Sequence, residues 1–234
     1  MCRLLKWLNE LYGWLLIAVF GFVMLIGLWQ VYDNYYIFNH TLDNNITKYK
    51  PQPNSSGDTA AENSPITDEM VGWITIDDTN IDYPVMQASD NTYFLNTDPF
   101  GEYSLTGSIF LDSRCSPDFS DSYSVIYGHH MDYGKMFGAL DDFLSESYLK
   151  THDTGTLMVG RNAEKTYDLK VFASAKVNAR EKTVFDLQQD SIRDFIRSSS
   201  NVFTDDSDYD IIGLSTCADA NSAVRIVVFC YLIP

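Results

Sequence analysis

The longest apolar stretch of the chain covers residues 11–29, where nineteen consecutive residues carry no charge. At about 1.5 Å of rise per residue, a helix of this length reaches roughly 28 Å, which is close to the thickness of a bilayer core. Arg3 and Lys6 precede the stretch and Asp33 follows it. This order of charges predicts a transmembrane helix with a cytoplasmic N-terminus, residues 1–10, and the remainder of the chain outside the membrane.

Two other interpretations of residues 11–29 stay open. A cleaved signal peptide has a shorter apolar region followed by small residues, whereas the bulky Trp29 and Tyr32 stand at this end. A helix in a soluble core is typically apolar on one face, whereas this run is apolar on all faces. Trp7 and Trp14 lie near the other end, as residues at a membrane interface do. We therefore favour an uncleaved membrane anchor.

The next region, residues 30–65, is predicted to connect the membrane to a folded domain. Its first part, up to about residue 50, has aromatic residues at near-helical spacing and is able to continue the helix. Residues 51–65 are rich in Pro, Ser, Asn, Gly and Ala and have no apolar periodicity. This composition is typical of a linker, so the folded domain is expected to occupy residues 66–234.

From residue 66 onward, short apolar runs alternate with turns. The runs with strand-like composition cover residues 71–76, 81–86, 106–112, 122–127, 156–159, 165–176, 210–217 and the run that starts at 225. The segments with helical spacing cover residues 90–95, 136–149 and 188–200. Strands and helices do not alternate regularly, as they do in parallel α/β proteins. The pattern therefore predicts a mainly β domain, a barrel or a sandwich with helical insertions.

Composition and charge narrow the possible partners of this domain. The chain has 234 residues, of which 45% are hydrophobic, which is sufficient for one core of moderate size. The formal net charge of −16 argues against nucleic acid as a partner, because binding phosphates needs a basic face. The four cysteines have irregular spacing and form no CxxC pair, so neither a zinc site nor a disulfide framework is indicated. We expect no metal and no cofactor.

The candidate chemistry lies near the C-terminus. Cys217 ends one predicted strand, and Arg225 begins the next after a small polar loop, residues 218–223. A hairpin-like pair places this thiol beside a permanent cation, and a cation favours the reactive thiolate over the thiol. A buried structural cysteine and a solvated arginine are the alternatives. Cys230 lies inside the second strand and is interpreted as core, although a disulfide between Cys217 and Cys230 is formally allowed.

A cysteine nucleophile needs an acid or base close to it in space. His129 and His130 follow the predicted strand 122–127 and a glycine. At least one of the two rings is therefore expected near the rim of the sheet, where the fold is able to bring it to Cys217. For either histidine the alternative is a surface polar residue. The hypothesis is that Cys217, Arg225 and a histidine form an active site.

Several short motifs along residues 70–232 share an order and a spacing with a known family. They are Gly72-Trp-Ile, Ile81-Asp-Tyr-Pro-Val, Asp90-Asn-Thr-Tyr, Gly107-Ser-Ile-Phe-Leu-Asp112, Val125-Ile-Tyr-Gly-His129-His-Met, Met136-Phe137, and Leu214-Ser-Thr-Cys217 followed by Arg225. Taken together they resemble the class B sortases, which are cysteine transpeptidases of Gram-positive bacteria. The helix predicted at residues 188–200 is similar to an insertion that distinguishes class B.

This resemblance implies an eight-stranded sortase-type β-barrel preceded by the N-terminal transmembrane helix. By motif position it implies that Cys217 is the nucleophile, His129 the acid and base, and Arg225 the stabiliser of the oxyanion. It implies no calcium site of the class A kind. Residues beside the three are candidate substrate contacts: Ser215, Thr216, Tyr127 and His130.

The resemblance also implies a reaction and its partners. The expected enzyme cleaves a C-terminal sorting motif of secreted surface proteins through a thioacyl intermediate and transfers the acyl group to a peptidoglycan amine. It is expected in the cell membrane as a single-pass protein with an extracellular catalytic domain. Three alternatives stay open: a pilin-polymerising sortase with a lysine acceptor, a cysteine protease that hydrolyses the same thioester, and an inactive tethered domain that binds the cell wall.

Overall fold

The computed structural model describes residues 2–40, 46–52, 64–217 and 223–234. The chain divides into two compact units, Met1–Asp43 and Asn44–Pro234. The first described segment is one helix, α1, which spans Cys2–His40. Its part Arg3–Asp33 is long and apolar enough to cross a membrane. This part contains the predicted span and extends beyond it in both directions.

The predicted continuation of this helix towards residue 50 is correct as far as His40. Residues 41–45 lie outside the described part of the chain, as do residues 53–63 of the predicted linker. Ile46–Tyr49 forms a short 3-10 helix that belongs to the second unit. Ile46 is buried there, and the Lys50 ammonium lies 2.8 Å from the Asp82 carboxylate. The segment 46–52 therefore packs with the folded domain, although it precedes the predicted start of that domain at residue 66.

The described part of the second unit contains nine strands. They are β1 (Met70–Ile76), β2 (Asp82–Met86), β3 (Ile109–Leu111), β4 (Tyr123–His129), β5 (Thr154–Val159), β6 (Lys165–Asn178), β7 (Val202–Phe203), β8 (Asp210–Cys217) and β9 (Val224–Ile233). Their order is β5-β1-β2-β3-β4-β8-β9-β6, and β6 pairs back onto β5, so eight strands close a barrel. The two-residue β7 is attached to the side of β6. The predicted eight-stranded barrel is thereby confirmed.

Short helices occupy the connections between strands. The α-helices are α2 (Glu146–Leu149), α3 (Lys182–Phe185) and α4 (Ile192–Ser199). The predicted helix at 136–149 is instead a 3-10 helix, Gly138–Leu144, followed by α2. A methyl group on Gly138 would lie 1.9 Å from the Met131 carbonyl oxygen, so the chain passes too close to another segment there for any other residue. The predicted helix at 188–200 is shorter, and α3 and β7 were not predicted.

Helices α3 and α4 cover the outside of the barrel over β4, β6, β8 and β9. They form an outer cluster with these strands, which includes Val125, Ala175, Val184, Ile192, Ile196, Ile211 and Phe229. On the opposite face of the same strands, Ile126, Leu214 and Val228 are also buried. Burial on both faces explains why β8 and β9 have continuous apolar runs instead of strict alternation.

Candidate active site

Three neighbouring strands bring the predicted catalytic residues to one edge of the barrel. Strands β4 and β8 run parallel, and the backbone position of His129 pairs in register with that of Cys217. Strand β9 starts at Val224 and runs antiparallel to β8, with Ser215 opposite Val227. Arg225, the second residue of β9, therefore lies beside the end of β8. Of the predicted polar loop, residues 218–222 lie outside the described part of the chain.

His129 is half-buried, and its ring is oriented by a backbone carbonyl. The Nε2 atom lies 2.8 Å from the Leu95 oxygen. A carbonyl oxygen only accepts hydrogen bonds, so Nε2 donates and the free lone pair of a neutral ring is on Nδ1. Leu95 was not identified from the sequence, because every residue carries the same carbonyl group. Gly107 has a positive φ of 55°, and a methyl group there would lie 2.5 Å from the Leu95 oxygen, so a side chain at this position would displace the carbonyl.

Tyr127 lies two residues before His129 on the same face of β4. Its hydroxyl donates a 3.0 Å hydrogen bond to Asp112. Burial raises the pKa of the Tyr127 phenol far above its ordinary value, which keeps this donor protonated. Burial also acts to raise the pKa of Asp112, but hydrogen bonds from Arg114 and Tyr127 outweigh it and hold this pKa below its usual range. Asp112 is therefore an ionised carboxylate inside the protein.

The other predicted substrate contacts are engaged within the protein. The Ser215 side chain is fully buried, and its hydroxyl donates to the Thr216 carbonyl at 3.2 Å. The Thr216 hydroxyl accepts a 3.1 Å hydrogen bond from the Ile226 amide, which joins β8 to β9. His130 lies on the opposite side of the strand from its neighbour, and its Nε2 atom is 2.9 Å from the Asp141 carboxylate. A substrate-binding role for these residues and Tyr127 stays a prediction.

Two other cysteines of the described domain, Cys115 and Cys230, are buried. Cys230 is fully buried, and burial raises the pKa of its thiol well above the ordinary value. Burial likewise raises the pKa of Cys115 to about 11. Both thiols therefore stay protonated at neutral pH, as core cysteines do. Within the described ranges, no group of three or more His, Cys, Asp or Glu residues is arranged to hold a metal ion.

Comparison with known proteins gives a consistent picture. Residues 74–233 match the family model described as a sortase domain. The chain is 35% identical to a sortase B of Listeria monocytogenes over 158 residues, which make up 64% of this chain. The match covers 63% of the Listeria protein, so the chain spans less than two thirds of that relative's length.

Solved structures extend the likeness to the three-dimensional fold. A Staphylococcus aureus sortase B–substrate complex matches with a TM-score of 0.64 at 31% identity, over 72% of this chain and 81% of the other. A Streptococcus pyogenes class B sortase involved in pilus biogenesis matches with a TM-score of 0.63 at 30% identity, over 69% of this chain and 91% of the other. Sequence and fold thus point to the same family.

Proposed function

Because the chain belongs to the sortase family and is a class B member of it, we propose that it is a membrane-anchored cysteine transpeptidase. It cleaves a C-terminal sorting motif in secreted surface proteins and transfers the acyl group to a peptidoglycan amine. The observation that carries this proposal is the register pairing of His129 with Cys217 beside the start of β9. This pairing supports the imidazole of His129 as the acid and base for a thiol at the end of two parallel strands.

The proposed reaction has two halves. In the first, Cys217 attacks a backbone carbonyl of the sorting motif as a thiolate whose proton is on His129, and Arg225 donates hydrogen bonds to the negative oxygen that forms. Collapse of the tetrahedral intermediate breaks the peptide bond. His129 gives a proton to the leaving amine, and a thioester between Cys217 and the substrate remains.

In the second half, an amine of the peptidoglycan precursor attacks the thioester carbon. His129 now accepts the proton from this amine, and the thiolate of Cys217 leaves as the new amide forms. The hydrogen bond from Nε2 to Leu95 supports Nδ1 as the atom of His129 that moves the proton in both halves. The products are a surface protein joined to the cell wall and the regenerated enzyme.

The proposed location follows from the N-terminal helix. The segment Arg3–Asp33 of α1 is long and apolar enough to cross a bilayer, and the uncharged residues 11–29 lie within it as the proposed span. We propose a single-pass anchor with a cytoplasmic N-terminus and an extracellular catalytic domain, in agreement with Arg3 and Lys6 preceding the span. Such an anchor keeps the enzyme at the membrane, where secreted substrates and lipid-linked wall precursors both occur.

The test first uses a peptide library and mass spectrometry to find which motif is cleaved. An intact peptide with this motif is then incubated with the enzyme, with and without an amine acceptor. We expect amine-dependent formation of a new amide and a covalent peptide adduct on Cys217. Cys217→Ala and His129→Ala should abolish turnover, while Cys115→Ala serves as the matched thiol control and keeps it. Arg225→Lys should lose most of the activity, because an ammonium does not reproduce the two-pronged geometry of a guanidinium.

Two results would reject parts of the proposal. Hydrolysis that is unaffected by any amine would leave a cysteine protease instead of a transferase. Unchanged wall attachment of surface proteins in a Cys217→Ala strain would favour the inactive tethered domain that binds the cell wall.

A second candidate is supported by one comparison. The Streptococcus pyogenes class B sortase, of which the chain covers 91%, is involved in pilus biogenesis. Its likeness supports a pilin-polymerising sortase, in which the acceptor is a lysine side chain of another protein. The two candidates are separated by incubating the enzyme and the intact sorting-motif peptide with either a peptidoglycan-type amine or a lysine-containing peptide, and by comparing the rates of transfer. Faster transfer to lysine would favour pilin polymerisation.

A further inference from the structure

A buried carboxylate lies next to the candidate active site and has no role in the proposed reaction. Asp112 follows β3, and its side chain is fully buried. One oxygen accepts hydrogen bonds from the Arg114 amide and Nε, at 3.0 and 2.9 Å. The other oxygen accepts from Arg114 Nη2, Asn91 and Tyr127, at 2.7, 2.9 and 3.0 Å. Both oxygens are thus fully engaged, and the guanidinium of Arg114 is held in one orientation.

The same guanidinium reaches a distant part of the chain. Arg114 Nη2 also donates a 2.6 Å hydrogen bond to the carbonyl of Phe185, the last residue of α3. The last carbonyls of a helix lack partners within the helix, and a cation is favourable at that end. At the other end of α3, the Glu181 carboxylate accepts from the Thr183 amide at 3.1 Å. Arg114 and Glu181 together hold the two ends of α3.

This contact sets the position of an aromatic ring beside the site. The ring of Phe185 is stacked over Tyr127, with 6.5 Å between the centroids and 25° between the planes. Tyr127 and His129 lie two residues apart on the same face of β4 and are therefore neighbours on that face. The end of α3, which contacts Tyr127, thus lies beside the neighbour of His129. Arg114 therefore links the buried Asp112 carboxylate to the wall that Phe185 and Tyr127 form beside His129.

We propose that Arg114, held by Asp112, is a positioning residue that fixes Phe185 against Tyr127 and so shapes the peptide-binding wall next to His129. The inference rests on the proposed function, because it assumes a peptide substrate in this place. Arg114 touches no reacting atom, and its loss should weaken recognition of the sorting-motif peptide while leaving the chemical step nearly intact. The effect therefore belongs in KM and not in kcat.

The test compares two arginines that contact the same connection between β6 and β8. Arg114→Lys keeps a positive charge but does not bond Asp112 and the Phe185 carbonyl with the same planar group. Arg197→Lys is the matched control, because Arg197 on α4 bonds Asp206 at 2.8 Å and belongs to no contact around Tyr127. For Arg114→Lys we expect a rise in KM of about tenfold with kcat within about threefold, since hydrogen bonds to charged groups contribute on this scale. Arg197→Lys should leave both constants unchanged.

Two further measurements separate positioning from general damage. The rate at which iodoacetamide alkylates Cys217, followed by mass spectrometry of the peptide that contains it, should be unchanged in Arg114→Lys because this small reagent does not use the peptide wall. Phe185→Leu removes the ring but keeps an apolar side chain, and KM should again rise. This second variant tests the wall if Arg114→Lys does not fold.

The outcomes are distinguishable from failure of the proposed function. If Cys217→Ala keeps full turnover, the proposed function is wrong. If Cys217→Ala is inactive but KM is unchanged in both Arg114→Lys and Phe185→Leu, only the positioning role is overturned. A fall in kcat at constant KM, or slower alkylation of Cys217, would also overturn it, because the network would then act on the reacting groups.

Discussion

Two aspartates hold peripheral segments against the barrel, and they differ mainly in burial. Asp82 accepts at a single oxygen from Lys50, Trp73 and Thr75, at 2.8, 2.7 and 2.9 Å. Its side chain is 34% exposed. Asp112 is fully buried and uses both oxygens. The first attaches the segment 46–52, and the second attaches the end of α3 beside His129.

The difference shows that a hydrogen-bonded carboxylate affects stability differently when it is partly exposed and when it is buried. At the Asp82 network water competes for the two charged groups, so the ion pair of Lys50 and Asp82 contributes little to stability. At the Asp112 network the carboxylate is shielded from water although the Arg114 side chain is half-exposed, and removal of the carboxylate leaves the Tyr127 hydroxyl and the Asn91 amide without this acceptor. The buried and fully hydrogen-bonded carboxylate, Asp112, is therefore the one that supports the wall formed by Phe185 and Tyr127 next to His129. We therefore expect the effects of mutation on stability to follow the burial of the carboxylates.

The largest effect is expected for Asp112→Ala. It removes the acceptor of the Tyr127 hydroxyl, the Asn91 amide and the Arg114 guanidinium, so we expect a loss of about 3 kcal/mol in the free energy of unfolding. Asp82→Ala should lose only about 1–2 kcal/mol, because the partly exposed Lys50 is able to bond water instead and only the buried Trp73 indole loses its acceptor in the interior. Urea unfolding followed by tryptophan fluorescence measures both. Equal losses would contradict the role assigned to burial.

The pH dependence of stability should distinguish Asp112 next. Burial acts to raise the pKa of the Asp112 carboxyl in the folded state. Hydrogen bonds, above all from Arg114, outweigh this effect and hold the pKa below its usual range. A carboxyl whose pKa is lower in the folded than in the unfolded state stabilises the fold at pH values above its unfolded pKa of about 3.9. This stabilisation is lost as the pH falls through the pKa of the folded state. Wild type should therefore lose stability more steeply than Asp112→Asn below about pH 4. Parallel unfolding curves for the two proteins between pH 3 and pH 6 would refute this.

The candidate site could be proposed from the sequence because its residues are chemically distinct. Cys217, His129 and Arg225 each stand at or near the end of an apolar run, and strand ends meet at the rims of sheets. The barrel itself came from the resemblance, because β8 and β9 are buried on both faces and do not alternate. The shorter helices were harder to predict, since Gly138 is required by the nearby Met131 carbonyl and not by any local pattern.

The supporting contacts were not predictable for a different reason. The Leu95 carbonyl that orients His129 is a group that every residue carries. The bond from Arg114 to the Phe185 carbonyl joins residues far apart in sequence, and neither residue type indicates the other. Lys50 follows a polar segment and precedes a stretch of linker composition, so its contact with Asp82 depends on the tertiary fold.

A smaller effect is expected when the Asp82 network loses its cation. Lys50→Met removes an ammonium that is 27% exposed, and we expect a loss of about 0.5–1 kcal/mol in the free energy of unfolding. Cleavage by a protease within residues 46–52 should become faster, because this segment loses a bond to Asp82. KM for the sorting-motif peptide should not change. A change in KM would mean that the Asp82 network also reaches the site, which would remove the functional contrast with Asp112.

The smallest effect is expected at the most exposed of the three carboxylates. Asp141 lies 2.9 Å from His130, and the two side chains are 47% and 42% exposed. Solvent screens such a pair, and both partners are able to bond water when it is broken. His130→Gln should therefore change the free energy of unfolding by less than about 0.5 kcal/mol, measured by urea unfolding at low and at high salt. A loss comparable with that of Asp112→Ala would show that burial does not rank these carboxylates, and the contrast between the anchored wall and the solvated surface would have to be abandoned.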